Sequence, residues 1–192
     1  MEVEEQERGG DTLTVSVVIP AHNSGGTIVE TLDSIAAQEV PVREIVVVDD
    51  LSTDATVAVV EQWRRDHQSP ALVLVKQDKN TGPAGARNRG IEVATGEWIA
   101  FLDADDAWLP SKLSIQLALV NADPEVALVC GRMVPLEASG EGARIEDVTG
   151  GSANPEPVGR ALLLEDFVSH NPVGTSTVLV RRDVLVAAGA FD

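Results

Sequence analysis

Basic residues are scarce in this sequence: Lys and Arg number 14 against 31 Asp and Glu, a net charge of −17 over 192 residues. A field of that sign repels phosphate backbones and anionic headgroups, which argues against general DNA, RNA or membrane-surface binding. Cysteine is scarcer still. The one thiol, Cys130, excludes an internal disulfide framework. Its place in the apolar run Val126-Ala-Leu-Val-Cys130 predicts a buried strand thiol rather than a reactive one. Aromatic residues make up 3%, with no Tyr. No apolar run nears the roughly 20 residues of a membrane span. Residues 1–11 show neither the basic nor the apolar segment of an export signal, so residues 1–12 are expected to form a disordered acidic tail and the protein to be cytoplasmic. What remains is ordinary for a globular chain, 44% hydrophobic and 23% charged, and its length suits a single domain over residues 13–192.

From Leu13 onward, short β-branched runs alternate with amphipathic stretches. Val15-Ser-Val-Val-Ile19 is a strand closed by Pro20, and residues 27–38 place Ile28, Leu32 and Ile35 on one helical stripe. Glu44-Ile-Val-Val-Val48 is a second strand, residues 55–66 a second helix, Leu72-Val-Leu-Val75 a third strand and residues 83–94 a third helix. Trp98-Ile-Ala-Phe-Leu102 is a fourth strand, residues 112–120 a helix that tolerates Pro110 at its start, and residues 126–132 a fifth strand. Residues 137–157, rich in Gly, Glu, Ala and Pro, read as a loop. A short helix over 160–168, a strand over 175–180 and a helix over 182–188 complete the pattern. This alternation predicts an α/β fold, a Rossmann-like, mostly parallel sheet flanked by helices.

Open α/β sheets bind ligands beyond the carboxyl ends of their strands. Three strands here end in polar groups: Pro20-Ala-His-Asn23, Asp49-Asp50 and Asp103-Ala-Asp-Asp106. On parallel strands these groups converge on one rim, where grouped carboxylates repel one another unless a cation neutralises them. Hard oxygen ligands favour Mg²⁺ or Mn²⁺, which in turn bind diphosphate oxygens. Asp and Asn also follow strands simply as turn formers and helix caps. Asp54 keeps that capping role on either reading, whereas Asp49-Asp50 together with the 103–106 cluster exceeds what turns require. Composition and periodicity therefore suggest a metal-assisted nucleotide site.

Four segments occur in order: Val15-Ser-Val-Val-Ile-Pro-Ala-His-Asn23, Val46-Val-Val-Asp-Asp-Leu-Ser-Thr-Asp54, Asn80-Thr-Gly-Pro-Ala-Gly-Ala-Arg-Asn-Arg-Gly90 and Thr95-Gly-Glu-Trp-Ile-Ala-Phe-Leu-Asp-Ala-Asp-Asp106. Together they resemble the donor-binding half of family 2 glycosyltransferases of the GT-A fold, and the likeness continues through Pro110-Ser-Lys-Leu113 and again at 175–182 and 187–192. The resemblance implies inverting sugar transfer from a nucleotide-diphosphate sugar, UDP-linked, to an acceptor hydroxyl, with Mn²⁺ or Mg²⁺. It places Pro20, Ala21, His22 and Asn23 around the uracil and ribose, His22 standing where the family carries Tyr. Asp50 would accept the uracil N3–H, Asn80 and Gly82 would flank the base, and Arg87 would lie near the nucleotide and the acidic motif. Arg87 could equally be a salt bridge bracing the strand-end carboxylates. Asp103, Ala104 and Asp105 match the family's Asp-x-Asp motif: Asp103 would meet ribose or metal, Asp105 the metal, and Asp106 could assist.

The resemblance leaves the catalytic base unassigned. It is expected beyond Asp192, after the Phe-Asp stretch to which Ala187-Ala-Gly-Ala-Phe-Asp192 corresponds. Glu165 and Asp166 read as a solvated helix face, Trp63 and Trp98 as core, and Trp108 as either a sugar-pocket wall or packing. His67 and His170 lack the partners of a zinc site. The competing classes are a binding-only module that holds nucleotide sugar and metal without turnover, and a phospho-acceptor receiver domain. The latter is disfavoured because no Lys follows Lys112 and the later acids are clustered; a dinucleotide dehydrogenase lacks its Gly-x-Gly-x-x-Gly.

Overall fold

The computed structural model describes residues 13–133 and 173–192. The loop expected over 137–157, the helix over 160–168, Glu165, Asp166 and His170 lie outside these residues, as does the acidic tail. The elements in chain order are β1 (Val15–Ala21), α1 (Ile28–Ala36), β2 (Glu44–Asp49), α2 (Thr56–Asp66), β3 (Ala71–Lys76), α3 (Gly82–Val93), β4 (Trp98–Phe101), α4 (Lys112–Ala122) and β5 (Leu128–Val129). A 3₁₀ turn (Thr175–Thr177), β6 (Leu179–Arg181) and a final helix α5 (Arg182–Ala187) follow.

The sheet runs β3-β2-β1-β4-β6-β5. The first four strands in that order are parallel, and β6 is antiparallel to both its neighbours. Every residue of β2 and β4 is buried, as continuous apolar runs covered on both faces require. One core packs α1, α2 and α4 against the sheet through Ile28, Leu32, Trp63, Leu113 and Leu117. The other packs α3 through Ala86 and Ile91 onto Val18, Val46, Ile99 and Phe101. A methyl group on Gly90 would collide with Val18 Cγ1, so glycine is what lets α3 lie directly on β1.

Strand order reverses between β1 and β4, and the C-terminal ends of β1, β2 and β4 share one edge. β1 runs two residues further than expected, through Pro20 to Ala21. The Val18 carbonyl accepts from Leu102 on the β4 side and the Ala21 carbonyl from Asp50 on the β2 side. By that alternation the Pro20 nitrogen faces β4 just past the end of their pairing, where no ladder donor is needed. At the opposite end, Glu44 takes hydrogen bonds from Ser16 Oγ (2.7 Å), Thr95 N (2.7 Å) and Thr95 Oγ1 (2.8 Å), joining β2, β1 and the turn before β4. Burial alone would raise its pKa, but these donors hold it below its ordinary value.

Three expectations are corrected. The strand predicted over 126–132 shrinks to Leu128–Val129, because its neighbour β6 offers only three residues to pair with. Cys130 therefore falls just past the strand and is half-buried rather than buried, and burial still pushes its thiol pKa up. The strand predicted from 175 begins only at Leu179. Thr177 donates to the Gly174 carbonyl through both N–H (2.9 Å) and Oγ1 (2.7 Å), winding the preceding residues into the 3₁₀ turn.

Candidate functional site

A cleft of about 580 Å³ opens on the sheet edge where the three strands end. Pro20, Ala21, His22, Asn23, Asp50, Asn80, Gly82, Arg87, Asp103, Ala104 and Asp105 all line it, so the four separated segments meet in one place. Ser24, Thr27, Pro83 and Ala86 line it as well.

The β1–β2 rim is a cross-braced pair of loops. Asn23, at φ 52°, receives Ser52 as partner for its N–H (2.9 Å) and accepts the Thr53 N–H on Oδ1 (2.8 Å). Asp54 accepts from Gly25 N on one oxygen (3.0 Å) and from Thr56 N on the other (2.9 Å). It was expected to cap α2, but the N-cap is Ala55 with no side-chain cap; Asp54 instead accepts the Thr56 N–H at the helix start and ties the two loops together. Hydrogen bonds from the Thr56 side chain, then from the Thr56 and Gly25 backbones, hold its pKa below the ordinary carboxylate value. His22 Nδ1 lies 2.8 Å from the Asp50 carbonyl, which also accepts from Asn80 Nδ2 at 3.2 Å.

Asp50 is the fixed point of this rim. Its residue is buried, and Oδ1 accepts from Gln77 Nε2 (2.7 Å), Thr81 N (2.8 Å) and Thr81 Oγ1 (3.2 Å). Among the described residues Oδ2 has no hydrogen-bond donor, and Asp50 lines the cleft. Asp49, its neighbour, points away: Oδ2 takes the Ser52 N–H at 3.3 Å.

The β4 rim is assembled from distant parts of the chain. Arg87 Nη2 pairs with Asp103 Oδ1 at 2.6 Å, with the Arg87 side chain 13% and that of Asp103 35% exposed. The bracing contact is real, and both partners still line the cleft. Ser176, in the 3₁₀ turn, accepts the Asp103 N–H (3.0 Å) and donates to Asp106 Oδ2 (2.5 Å). Its carbonyl takes Trp108 Nε1 at 2.7 Å. Asp106 is therefore occupied in bracing the loop. Trp108 is buried in the core and is a packing residue. Ala104, also buried, offers its carbonyl to Thr27 Oγ1 at 2.8 Å, which latches the acidic loop to α1. Asp105 is exposed.

Behind this loop Lys112 places Nζ 3.7 Å from the Trp108 ring centroid, buried and with no hydrogen-bond partner among the described residues. Burial pushes its pKa down from 10.5 to about 7. Trp63 and Trp98 are core residues as expected, and His67 stacks on Trp63 with ring centroids 4.1 Å apart.

No three His, Cys, Asp or Glu side chains gather into a self-sufficient metal cage among the described residues. Asp105 is exposed, Asp103 engages Arg87 through Oδ1, and both residues line the cleft. In general, one or two carboxylates completed by phosphate oxygens and water make a shell that Mg²⁺ accepts, and carboxylate oxygens also suit Mn²⁺, so the residues present are compatible with either ion.

Sequence reasoning missed Gln77, Thr81 and Ser176. Thr81 stood inside a recognised segment, but Gln77 and Ser176 offered no local signal beyond a polar group beside an apolar run.

A mostly parallel sheet with this crevice, acidic loop and α3 over its edge defines an α/β domain of GT-A type. The chain belongs to glycosyl transferase family 2, whose sequence profile matches residues 16–185. The succinoglycan biosynthesis protein ExoO of Rhizobium meliloti is 40% identical over 145 residues, covering 70% of this chain and 40% of that protein. S. aureus TarS 1-349 in complex with UDP-GlcNAc matches with a TM-score of 0.70 and 26% identity, over 93% of this chain and 48% of that one. The mannosyltransferase PcManGT from Pyrobaculum calidifontis, in complex with GDP-Man and Mn²⁺, matches with a TM-score of 0.69 and 28% identity, over 93% of this chain and 47% of that one. This chain thus spans less than half the length of each. No helix among the described residues is long and apolar enough to cross a membrane.

Proposed function

We propose that this chain binds a UDP-linked sugar in the cleft at the β1, β2 and β4 ends and belongs to a glycosyltransferase that inverts the anomeric carbon. The observation that carries this reading is the meeting of the candidate nucleotide- and metal-binding residues, from Pro20 to Asp105, around one cleft. Asp50 Oδ2 would accept the uracil N3–H, because its other oxygen is already held by three donors. His22 and Asn80, both fixed on the Asp50 carbonyl, would flank the base, with Pro20, Ala21, Asn23 and Gly82 shaping its surroundings. Arg87 and Asp103, with Ala104 behind them, would face the ribose and diphosphate. Asp105, with Asp103, would hold Mn²⁺ or Mg²⁺, which supplies charge neutralisation for the departing diphosphate. Transfer then needs an acceptor hydroxyl and a base to deprotonate it. We assign that base to none of the described residues. Transfer, rather than binding alone, is favoured by the relatives, which are named as glycosyltransferases or polysaccharide biosynthesis proteins.

The test is a thermal melt with UDP and Mn²⁺ added separately and together. Ligand at a hundred times its dissociation constant stabilises the folded state by about 2.7 kcal/mol. A rise in Tm with UDP that is larger in the presence of Mn²⁺ than without it is expected. No rise with UDP and any divalent cation would remove this reading.

A further inference from the structure

One residue past Arg87, half-buried Asn88 closes a two-point clamp on a distant part of the chain. Its Nδ2 donates to the Phe191 carbonyl at 2.7 Å, and the Phe191 N–H donates to Oδ1 at 3.0 Å. The chain reaches this position through a tight reversal after α5. Gly189 and Ala190 take positive φ (90° and 60°), and the N–H groups of Ala188, Gly189 and Ala190 bond back to Val184, Val186 and Leu185. A primary amide that donates and accepts on one residue's backbone fixes its rotation as well as its distance.

What the clamp fixes is a ring. Phe191 meets Phe101 edge-on, with centroids 5.2 Å apart and planes at 89°, and the Arg87 guanidinium carbon lies 5.5 Å from the Phe191 centroid. At its other end the guanidinium pairs with Asp103, while Arg87 Nε is buried without a hydrogen-bond partner. Among the described residues, the Phe191 ring and the Asp103 carboxylate are therefore the groups that orient Arg87. Phe101 stands two residues before Asp103, so ring and carboxylate are set on the same stretch of chain.

We propose that Asn88 and Phe191 are positioning residues for the cleft. The amide clamp seats the ring, the ring supports the guanidinium, and the guanidinium sets the direction of the Asp103 carboxylate. The effect on ligand rests on the nucleotide reading above; the orientation of Arg87 does not. If Phe191 served only to fill volume beneath α3, a leucine would do as well.

The experiment uses the ¹⁵N-labelled 192-residue chain, its Phe191→Leu, Asn88→Ala and Asn88→Asp variants, and two readouts. The first is the Arg87 Nε–Hε resonance, which a nearby ring face displaces. The second is calorimetric titration with UDP in Mn²⁺. The ring-induced displacement is expected to vanish in Phe191→Leu and Asn88→Ala and to be partly kept in Asn88→Asp, which retains one hydrogen bond. UDP affinity is expected to fall roughly three- to tenfold in the first two, the scale of a lost cation–π contact. An unmoved Arg87 resonance in Asn88→Ala, or wild-type UDP affinity in Phe191→Leu, overturns the proposal. If the wild-type chain does not bind UDP, the nucleotide reading fails instead, and the Arg87 resonance still decides whether the clamp orients this side chain.

Discussion

At the β2 rim of the cleft, Asp50 is buried and its Oδ1 is met by three donors from the segment just after β3. At the β4 rim, Asp105 is exposed, and its neighbours are held by Ser176 and Arg87, which come from elsewhere in the chain. The first rim carries its acceptor in place before any ligand arrives, so no ordering cost falls on binding there. The second braces Asp103 and Asp106 but leaves the outermost carboxylate free. On the proposed reading the difference matches the two halves of a nucleotide sugar: a base asks for a fixed pattern of donors and acceptors, whereas a diphosphate with a cation completes its own coordination shell.

The contrast is broken most severely at Asp105. Asp105→Asn is expected to weaken UDP binding in Mn²⁺ by about a hundredfold, the scale of a lost cation ligand at a diphosphate. UDP binding without Mn²⁺ and the melting temperature should stay near wild type. Calorimetry with and without Mn²⁺ reads this directly, and surviving metal dependence would show that the β4 rim does not hold the cation through Asp105.

Next in size is Lys112, buried behind the acidic loop against Trp108. Its folded pKa of about 7 lies below the ordinary 10.5, so within that window the unfolded chain binds a proton that the folded chain does not. Stability therefore rises with pH across the window and is lower below it. Lys112→Met should add about 2 kcal/mol at neutral pH, an advantage that shrinks as pH rises toward the ordinary lysine value. Urea denaturation at a series of pH values measures both slope and offset. A variant no more stable than wild type at neutral pH would contradict an unpaired lysine there.

Asp50→Asn should weaken UDP binding about tenfold, the cost of a lost charged acceptor, and by the same factor with or without Mn²⁺. That insensitivity to metal sharpens the comparison with Asp105; a metal-dependent loss would merge the two rims into one. Smallest is Ser176→Ala, which removes the hydroxyl between Asp103 and Asp106. About 1 kcal/mol of stability should be lost, visible as a lower Tm. The amide resonance of Thr81, on the other rim, should not move.

The same contrast separates what could be read in the sequence from what could not. His22, Asn23, Asp50 and Asp103 stand at or just after strand ends. Parallel strands with apolar, β-branched runs must put such positions on one edge, so local pattern sufficed to bring these together, whereas Asn80, Gly82 and Arg87 were placed there only by the family resemblance. Gln77 and Ser176 act across loops whose approach is set by packing rather than spacing. Ser176 sits in a stretch that reads as strand until the local hydroxyl bonds of Thr177 wind it into a turn. Trp108 was ambiguous for the same reason: its partner, the Ser176 carbonyl, is 68 residues away. Strand β5 was overestimated because its length depends on β6, which is itself cut short by that turn.

Pro20 gives the crevice a permanence that contacts alone would not. Sheets tend to zip: wherever two neighbouring strands run on side by side, another rung can form and the gap between them narrows. Past Val18, the seam between β1 and β4 lacks one donor on the β1 side: the Pro20 carbonyl can still accept, but its nitrogen carries a ring carbon instead of hydrogen. The covalent chain itself thus disfavours closure, because zipping the seam would leave a β4 carbonyl without its donor. In that sense a single absent hydrogen atom biases the mouth of the crevice toward staying open.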